Sequence, residues 1–196
     1  MKIVEIHVFQ HDLPVRGAPY RMAGQDVWHL DTTIVMLVCD DGTVGFGETC
    51  PLGSTYQPQH ALGARAALTE LAPHLLGLDP THIGRVNATM DAHLMGHRYA
   101  KAAIDVACWD ATGKVLGMRV CHLLGGAVRE RVRSYHGIRI ASAADCAEDA
   151  ERRQAEGFPR LQIKVGGRPV EDDIEAIRAV SGTLRPGVRL AADANK

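Results

Sequence analysis

Two residue pairs near the end of this 196-residue chain have types and spacing suited to chemistry. Leu161-Gln162-Ile163-Lys164-Val165-Gly166 reads as an apolar strand whose tip carries a lysine, with Gln162 two positions earlier on the same face. Leu190-Ala191-Ala192-Asp193-Ala194-Asn195 reads as a second strand tipped by a carboxylate and then an amide. Parallel α/β barrels build their active sites from such strand ends. The chemistry open to the pair is proton transfer at an amine and cation binding at an oxygen donor. Each residue also has a plain structural reading: Lys164 as a strand-end lysine reaching solvent, Asp193 as the N-cap of a following helix, and Asn195 as a turn residue.

Around these residues the pattern predicts a strand at 160–165, a helix at 142–156, a helix at 170–183 and strands at 132–138 and 188–193. Strand–helix alternation with short connections means a parallel sheet. Before Gly125-Gly126 the pattern is different. Residues 2–10, 32–39 and 43–48 alternate or are β-branched, and Asp40-Asp41-Gly42 marks a hairpin turn, so an antiparallel meander is expected. Residues 11–30, rich in Pro, Gly and polar groups, read as a long loop suited to a binding flap. Helices follow at 58–74, with Leu62, Ala66, Leu68, Leu71 and Leu75 on one face, then from Pro80-Thr81, and then at 97–116. The expected fold is an α+β capping domain over 1–125, followed over 126–196 by the first three strands of a parallel (β/α) TIM-type barrel.

Several classes are excluded. A net charge of -1 with no Lys/Arg run argues against nucleic acid as a partner. No apolar run is long enough to span a membrane, and the amino terminus is not a signal peptide, so a cytoplasmic location is expected. The five cysteines form no CxxC, which argues against a disulfide framework or a zinc site. The ten histidines form no HxH or HExxH array, and GxGxxG, Walker and Gly-x-Ser-x-Gly motifs are absent.

One stretch carries a resemblance. Ala102-Ala103-Ile104-Asp105-Val106-Ala107-Cys108-Trp109-Asp110-Ala111-Thr112-Gly113-Lys114, with Leu123-Leu124-Gly125-Gly126 after it, resembles the signature helix and turn of the enolase superfamily. The branch is that of mandelate racemase and muconate lactonizing enzymes, and the resemblance covers essentially the whole chain. Within it, Gly47-Glu48-Thr49-Cys50-Pro51, Thr55-Tyr56, Gly96-His97-Arg98-Tyr99 and residues 159–170 are most similar to proline-betaine and hydroxyproline-betaine epimerases, with cis-3-hydroxyproline dehydratases nearby.

The resemblance implies abstraction of the proton next to a carboxylate, with Mg²⁺ absorbing the developing charge and a lysine taking the proton, the pattern general to the superfamily. It makes Lys164 the base and Asp193 the first metal ligand. Gln162 stands where related enzymes often carry the first lysine of Lys-x-Lys, and a neutral amide supplies no charge repulsion. Tyr56 and Trp28 become candidates to face a quaternary ammonium, and Asn195 to meet substrate or metal. Asp105 and Trp109 read as packing and capping residues.

The expected partner is a small amino-acid-derived carboxylate, in a homo-oligomer if full length. Dehydratase or cycloisomerase chemistry, or a non-catalytic interaction fragment, are the alternatives. A complete barrel of this type needs about 250 residues, whereas about 70 follow Gly126, so the barrel is expected to be truncated and the chain alone inactive.

Overall fold

The structure is a computed structural model that describes residues 1–17, 19–22 and 25–194. These divide into two compact units, Met1–Pro14 with His29–Val128, and Val15–Trp28 with Arg129–Lys196.

The first unit is an antiparallel sheet backed by helices. Strand β1 (Ile3–Pro14) precedes a short ribbon of β2 (Tyr20–Met22) and β3 (Gln25–Val27), which belongs to the second unit, and then β4 (His29–Cys39) and β5 (Val44–Thr49). The sheet order is β1-β4-β5. The turn into β5 forms as expected: Gly42 takes φ 83, Gly42 N–H bonds the Cys39 carbonyl at 3.0 Å, and Asp41 accepts from Thr43 N–H at 2.9 Å.

The long loop expected over 11–30 is not a loop. Residues 11–14 continue β1, paired from His11↔Thr32 to Pro14↔His29. Side chains stitch this polar ribbon: Gln10 donates to Asp12 at 2.8 Å and to Asp31 at 3.2 Å, and Arg65 grips Asp31 through two nitrogens at 2.8 and 3.0 Å. Both faces of the ribbon carry polar residues, so the alternation that marks a half-buried strand is missing. Pro14 sits at the end of an edge strand, where its missing N–H costs nothing.

Helices α1 (Ala61–Leu75), α2 (Ile83–His93) and α3 (Arg98–Leu116) pack on the sheet, and a one-turn α4 (Val120–Leu123) follows. The buried stripe of α1 is Ala64, Leu68, Leu71 and Leu75. Leu62, expected inward, is 69% exposed, because counting back from Leu75 at 3.6 residues per turn reaches 64 and 61, not 62. Val86 and Met90 of α2 and Ala103, Ile104, Ala107 and Cys108 of α3 complete the core with Ile3, Val35 and Leu37. The sheet and α3 touch backbone to backbone at two glycines of β5. A Cβ on Gly47 would lie 1.9 Å from the Ala103 carbonyl oxygen, and one on Gly45 2.2 Å from that of Ala107.

Asp110 of α3 accepts from Phe46 N–H at 2.8 Å, tying helix to strand. Asp105 accepts from Asn87 at 2.7 Å, tying α3 to α2. Trp109 is half-buried.

The second unit holds three parallel strands in the order β6-β7-β8: β6 (His136–Ile138), β7 (Arg160–Lys164) and β8 (Arg189–Asp193), alternating with α5 (Ala143–Ala155) and α6 (Val170–Gly182). β6 is shorter than the 132–138 expected, because its ladder starts where β7 offers a partner, at His136↔Leu161, while Val132 is 81% exposed. Leu161 and Ile163 turn one face of β7 into a core with Ile138, Cys146, Ala150, Ala176 and Val180. Ser142 caps α5 by accepting from Asp145 N–H at 3.2 Å. The β2–β3 ribbon is closed by Val15 N–H to the Trp28 carbonyl at 3.0 Å and tied to this unit by Arg139, which donates to the Gly17 carbonyl at 2.6 Å. Among the described residues no helix is long and apolar enough to cross a membrane.

Candidate active site

The apolar face of β7 fixes where its polar face points. Leu161 and Ile163 are buried against the helices, so the alternate residues Gln162 and Lys164 face the other side of the sheet. In the parallel register Lys164 lies opposite Asp193 and Gln162 opposite Ala191. Neighbours in register share a face, so the lysine and the carboxylate project together. Lys164 Nζ donates to Asp193 Oδ2 at 2.5 Å, and Gln162 Nε2 donates to the same oxygen at 2.5 Å. Lys164 is 8% exposed, and the Asp193 side chain is 27% exposed.

Three of the expected residues are thus one cluster, at the carboxyl ends of two adjacent parallel strands. Val165 N–H bonds the Asp193 carbonyl at 3.1 Å and carries the pairing one residue past β7. The amide of Gln162 does what a second lysine could not: it donates to Asp193 without adding charge next to Lys164. Charge-assisted bonds of this length orient the carboxylate firmly.

The other expected residues lie elsewhere. Tyr56 is half-buried in the loop before α1, in the first unit, where its N–H bonds the Gly53 carbonyl at 3.2 Å. A cleft of about 270 Å³ lies in the same unit beside that loop, between His29, Asp31, Pro51, Ser54, His60 and Leu62. Trp28 ends the β2–β3 ribbon and is 60% exposed. Asn195 lies outside the described residues.

Mg²⁺ takes a near-octahedral shell of oxygen donors, usually one or two carboxylates with waters and substrate oxygens. Asp193 is a hard oxygen donor at the end of β8. Among the described residues no group of three His, Cys, Asp or Glu could hold a metal ion. The described residues therefore fit one ligand of such a centre and not a complete one.

Sequence patterning missed Arg168 and Asp173. Asp173 sits in the first turn of α6 and accepts from Gly166 N–H at 2.7 Å and from Arg168 Nε at 2.6 Å. Burial alone would push its carboxyl up, but the Arg168 bond, the Gly166 N–H and the arginine charge together hold it below the ordinary carboxylate range. An arginine directly after a Gly-Gly pair and five residues before an acid was the available signal.

Residues 3–125 match the family described as mandelate racemase / muconate lactonizing enzyme, N-terminal domain, and residues 145–196 match the enolase C-terminal domain-like family. The chain is 47% identical over its whole length to cis-3-hydroxy-L-proline dehydratase of Roseibium aggregatum, covering 53% of that protein. It is 31% identical to N-succinyl-L-Arg/Lys racemase of Bacillus cereus, again over the whole of this chain and 53% of the relative. A solved member of the enolase superfamily from Roseovarius nubinhibens ISM, complexed with magnesium, superimposes with a TM-score of 0.89 at 38% identity, covering 99% of this chain and 52% of that one. The chain spans about half the length of the curated relatives it matches. The parallel strand ends, the antiparallel cap and these matches agree: the chain belongs to the mandelate racemase/muconate lactonizing enzyme family of the enolase superfamily.

Proposed function

We propose that the Gln162–Lys164–Asp193 cluster belongs to a site that removes the proton α to the carboxylate of a small, proline-derived substrate, with Lys164 as the group that carries the proton. The convergence of Lys164 Nζ and Asp193 Oδ2 at 2.5 Å supports this reading above any other observation. A lysine paired to a carboxylate is an ammonium, so the arrangement is the proton-loaded form, ready to return a proton. To accept one, Lys164 must first give its own up. Its low exposure keeps bulk water from exchanging that proton freely. Gln162 holds Asp193 in place through its own hydrogen bond while Lys164 changes state. A divalent cation bound at Asp193 would supply fixed positive charge beside the substrate carboxylate.

In this reading Tyr56, Trp28 and Asn195 are substrate-binding residues. The protein that carries the chain acts as a homo-oligomer.

Two outcomes of α-proton removal compete. Return of the proton gives epimerisation, and a proline betaine or hydroxyproline betaine suits an aromatic such as Tyr56. Loss of a β-hydroxyl gives dehydration, and the 47% identity to a cis-3-hydroxy-L-proline dehydratase favours that second reading.

The test is incubation of the protein carrying this chain with each substrate in D₂O. Deuterium at the α-carbon with the substrate otherwise intact marks an epimerase, and loss of water marks a dehydratase. Lys164→Ala is expected to lower either rate by at least about 10²-fold. Unchanged α-exchange in that variant would refute the assignment.

A further inference from the structure

We propose that Arg168 and Asp173 form a clasp that positions Lys164, a role that rests on the reading of Lys164 as the proton carrier. The clasp is three hydrogen bonds long. Asp173 Oδ2 accepts from Gly166 N–H at 2.7 Å, Asp173 Oδ1 accepts from Arg168 Nε at 2.6 Å, and Arg168 Nη1 donates to the Ala141 carbonyl at 2.6 Å. Ala141 lies in the connection from β6 to α5, so the clasp joins the carboxyl ends of two neighbouring strands. The side chains of Arg168 and Asp173 are 14% and 12% exposed, which shelters the pair from screening.

The peptide that the clasp grips is two residues from Lys164. Strand ends fray, and the turn after Lys164 is the kind that frays most, since Gly166 and Gly167 both take positive φ, 91 and 75. On one side Val165 N–H is held by the Asp193 carbonyl at 3.1 Å. On the other, the next amide is held by Asp173. Together they set the direction in which β7 ends and so where the lysine stem starts. Arg168 Nη2 is buried and makes no hydrogen bond among the described residues. An unsatisfied buried donor is destabilising, so the arginine is placed at a cost that stability alone does not explain.

A lysine at position 168 keeps the charge but offers one nitrogen where Arg168 uses two. The protein carrying this chain is compared with its Arg168→Lys and Asp173→Asn variants in two assays. In the first, acylation of Lys164 by limiting acetic anhydride at fixed pH is read by peptide mass spectrometry against Lys114, an exposed reference on α3. The clasp predicts that Lys164 acylation rises at least about threefold in both variants as the strand end loosens. In the second, kcat for α-proton exchange falls about 10–100-fold with KM within about twofold, as expected for a misplaced proton carrier.

A merely structural pair would lower the folded fraction while leaving the Lys164 acylation rate of the folded protein, and kcat per folded molecule, unchanged; that result overturns the proposal. If Lys164→Ala leaves exchange intact, the functional reading fails and the acylation assay alone decides whether the clasp positions Lys164. If Asp173→Asn does not fold, Arg168→Lys carries the test.

Discussion

Asp193 accepts two donors on a single oxygen, one charged and one neutral, and this sets what a cation at the strand ends would meet. A metal must compete with Lys164 for the carboxylate. With no group of three His, Cys, Asp or Glu among the described residues able to hold a metal ion, Mg²⁺ binding by the 196-residue polypeptide should be weak, in the millimolar range. At 10 mM MgCl₂ a dissociation constant near that concentration raises stability by only about 0.4 kcal/mol, or a shift of about 1 °C in the thermal midpoint. Asp193→Asn should remove the shift altogether, because the amide oxygen keeps the shape and loses the charge. Differential scanning fluorimetry with and without MgCl₂ reads both, and a shift of 5 °C or more would show a complete site. Lys164 and Asp193 were legible in the sequence because each ends an apolar run, and a period of two assigns its face. The partner of Asp173 was not legible, because the clasp depends on a Gly-Gly turn with positive φ that apolar patterning does not encode.

Elements here are placed by small residues and by buried carboxylates, and each makes a prediction. Gly47 and Gly45 let α3 lie on β5, where a Cβ would meet the backbone of Ala103 and Ala107 and, at position 45, the Cβ of Ala111. A methyl group at position 47 would meet backbone, not a flexible side chain that could turn away. Gly47→Ala should therefore destabilise the first unit by about 3 kcal/mol or more, whereas Gly84→Ala in α2, where nothing lies within 4 Å of the new Cβ, should leave stability unchanged or raise it by up to about 1 kcal/mol, since alanine is the better helix former. Urea denaturation of both variants checks the contrast.

The second unit depends on pH through Asp173 and Asp149. Burial pushes each carboxyl up, but the partners outweigh it: Arg168 and Gly166 N–H for Asp173, and Arg152, His136 and Arg153 for Asp149. Both carboxyls end below their ordinary range. The folded state then binds fewer protons than the unfolded one, so this stability is complete above about pH 4 and lost as pH falls through the folded values. Asp173→Asn should flatten the acid limb of a stability-against-pH curve below about pH 4 and leave the curve at higher pH parallel to the parent's. Element order was readable except for the β2–β3 ribbon and the one-turn α4. Register was not: Leu62 failed by one position on α1, and the 11–30 segment read as a loop because a ribbon polar on both faces has no alternation to read.

At the scale of the whole chain there are two cores, and each contains a buried cysteine that reports on it. Cys108 sits in the core of the first unit with Leu68, Met90 and Ile104, and Cys146 in that of the second with Ile138, Leu161 and Ile163. Burial raises both thiols, that of Cys108 to about 12, so neither presents a thiolate at neutral pH while its unit is folded. Cys121 is exposed and supplies the control. Labelling at pH 7.5 with a thiol reagent should modify Cys121 first, with Cys108 and Cys146 protected by at least about 10³-fold through unfolding-limited access. The protection of the two should then respond to different variants. Gly47→Ala should expose Cys108 at lower urea than in the parent and leave Cys146 where it was, whereas Asp173→Asn should do the reverse. The first core has an antiparallel sheet with helices on one face. The second has three parallel strands whose ladder hydrogen bonds join residues far apart in sequence. Separate labelling midpoints would show that each core closes on its own side chains. A single shared midpoint in all three proteins would show one cooperative molecule, with the two clusters of buried residues acting as one.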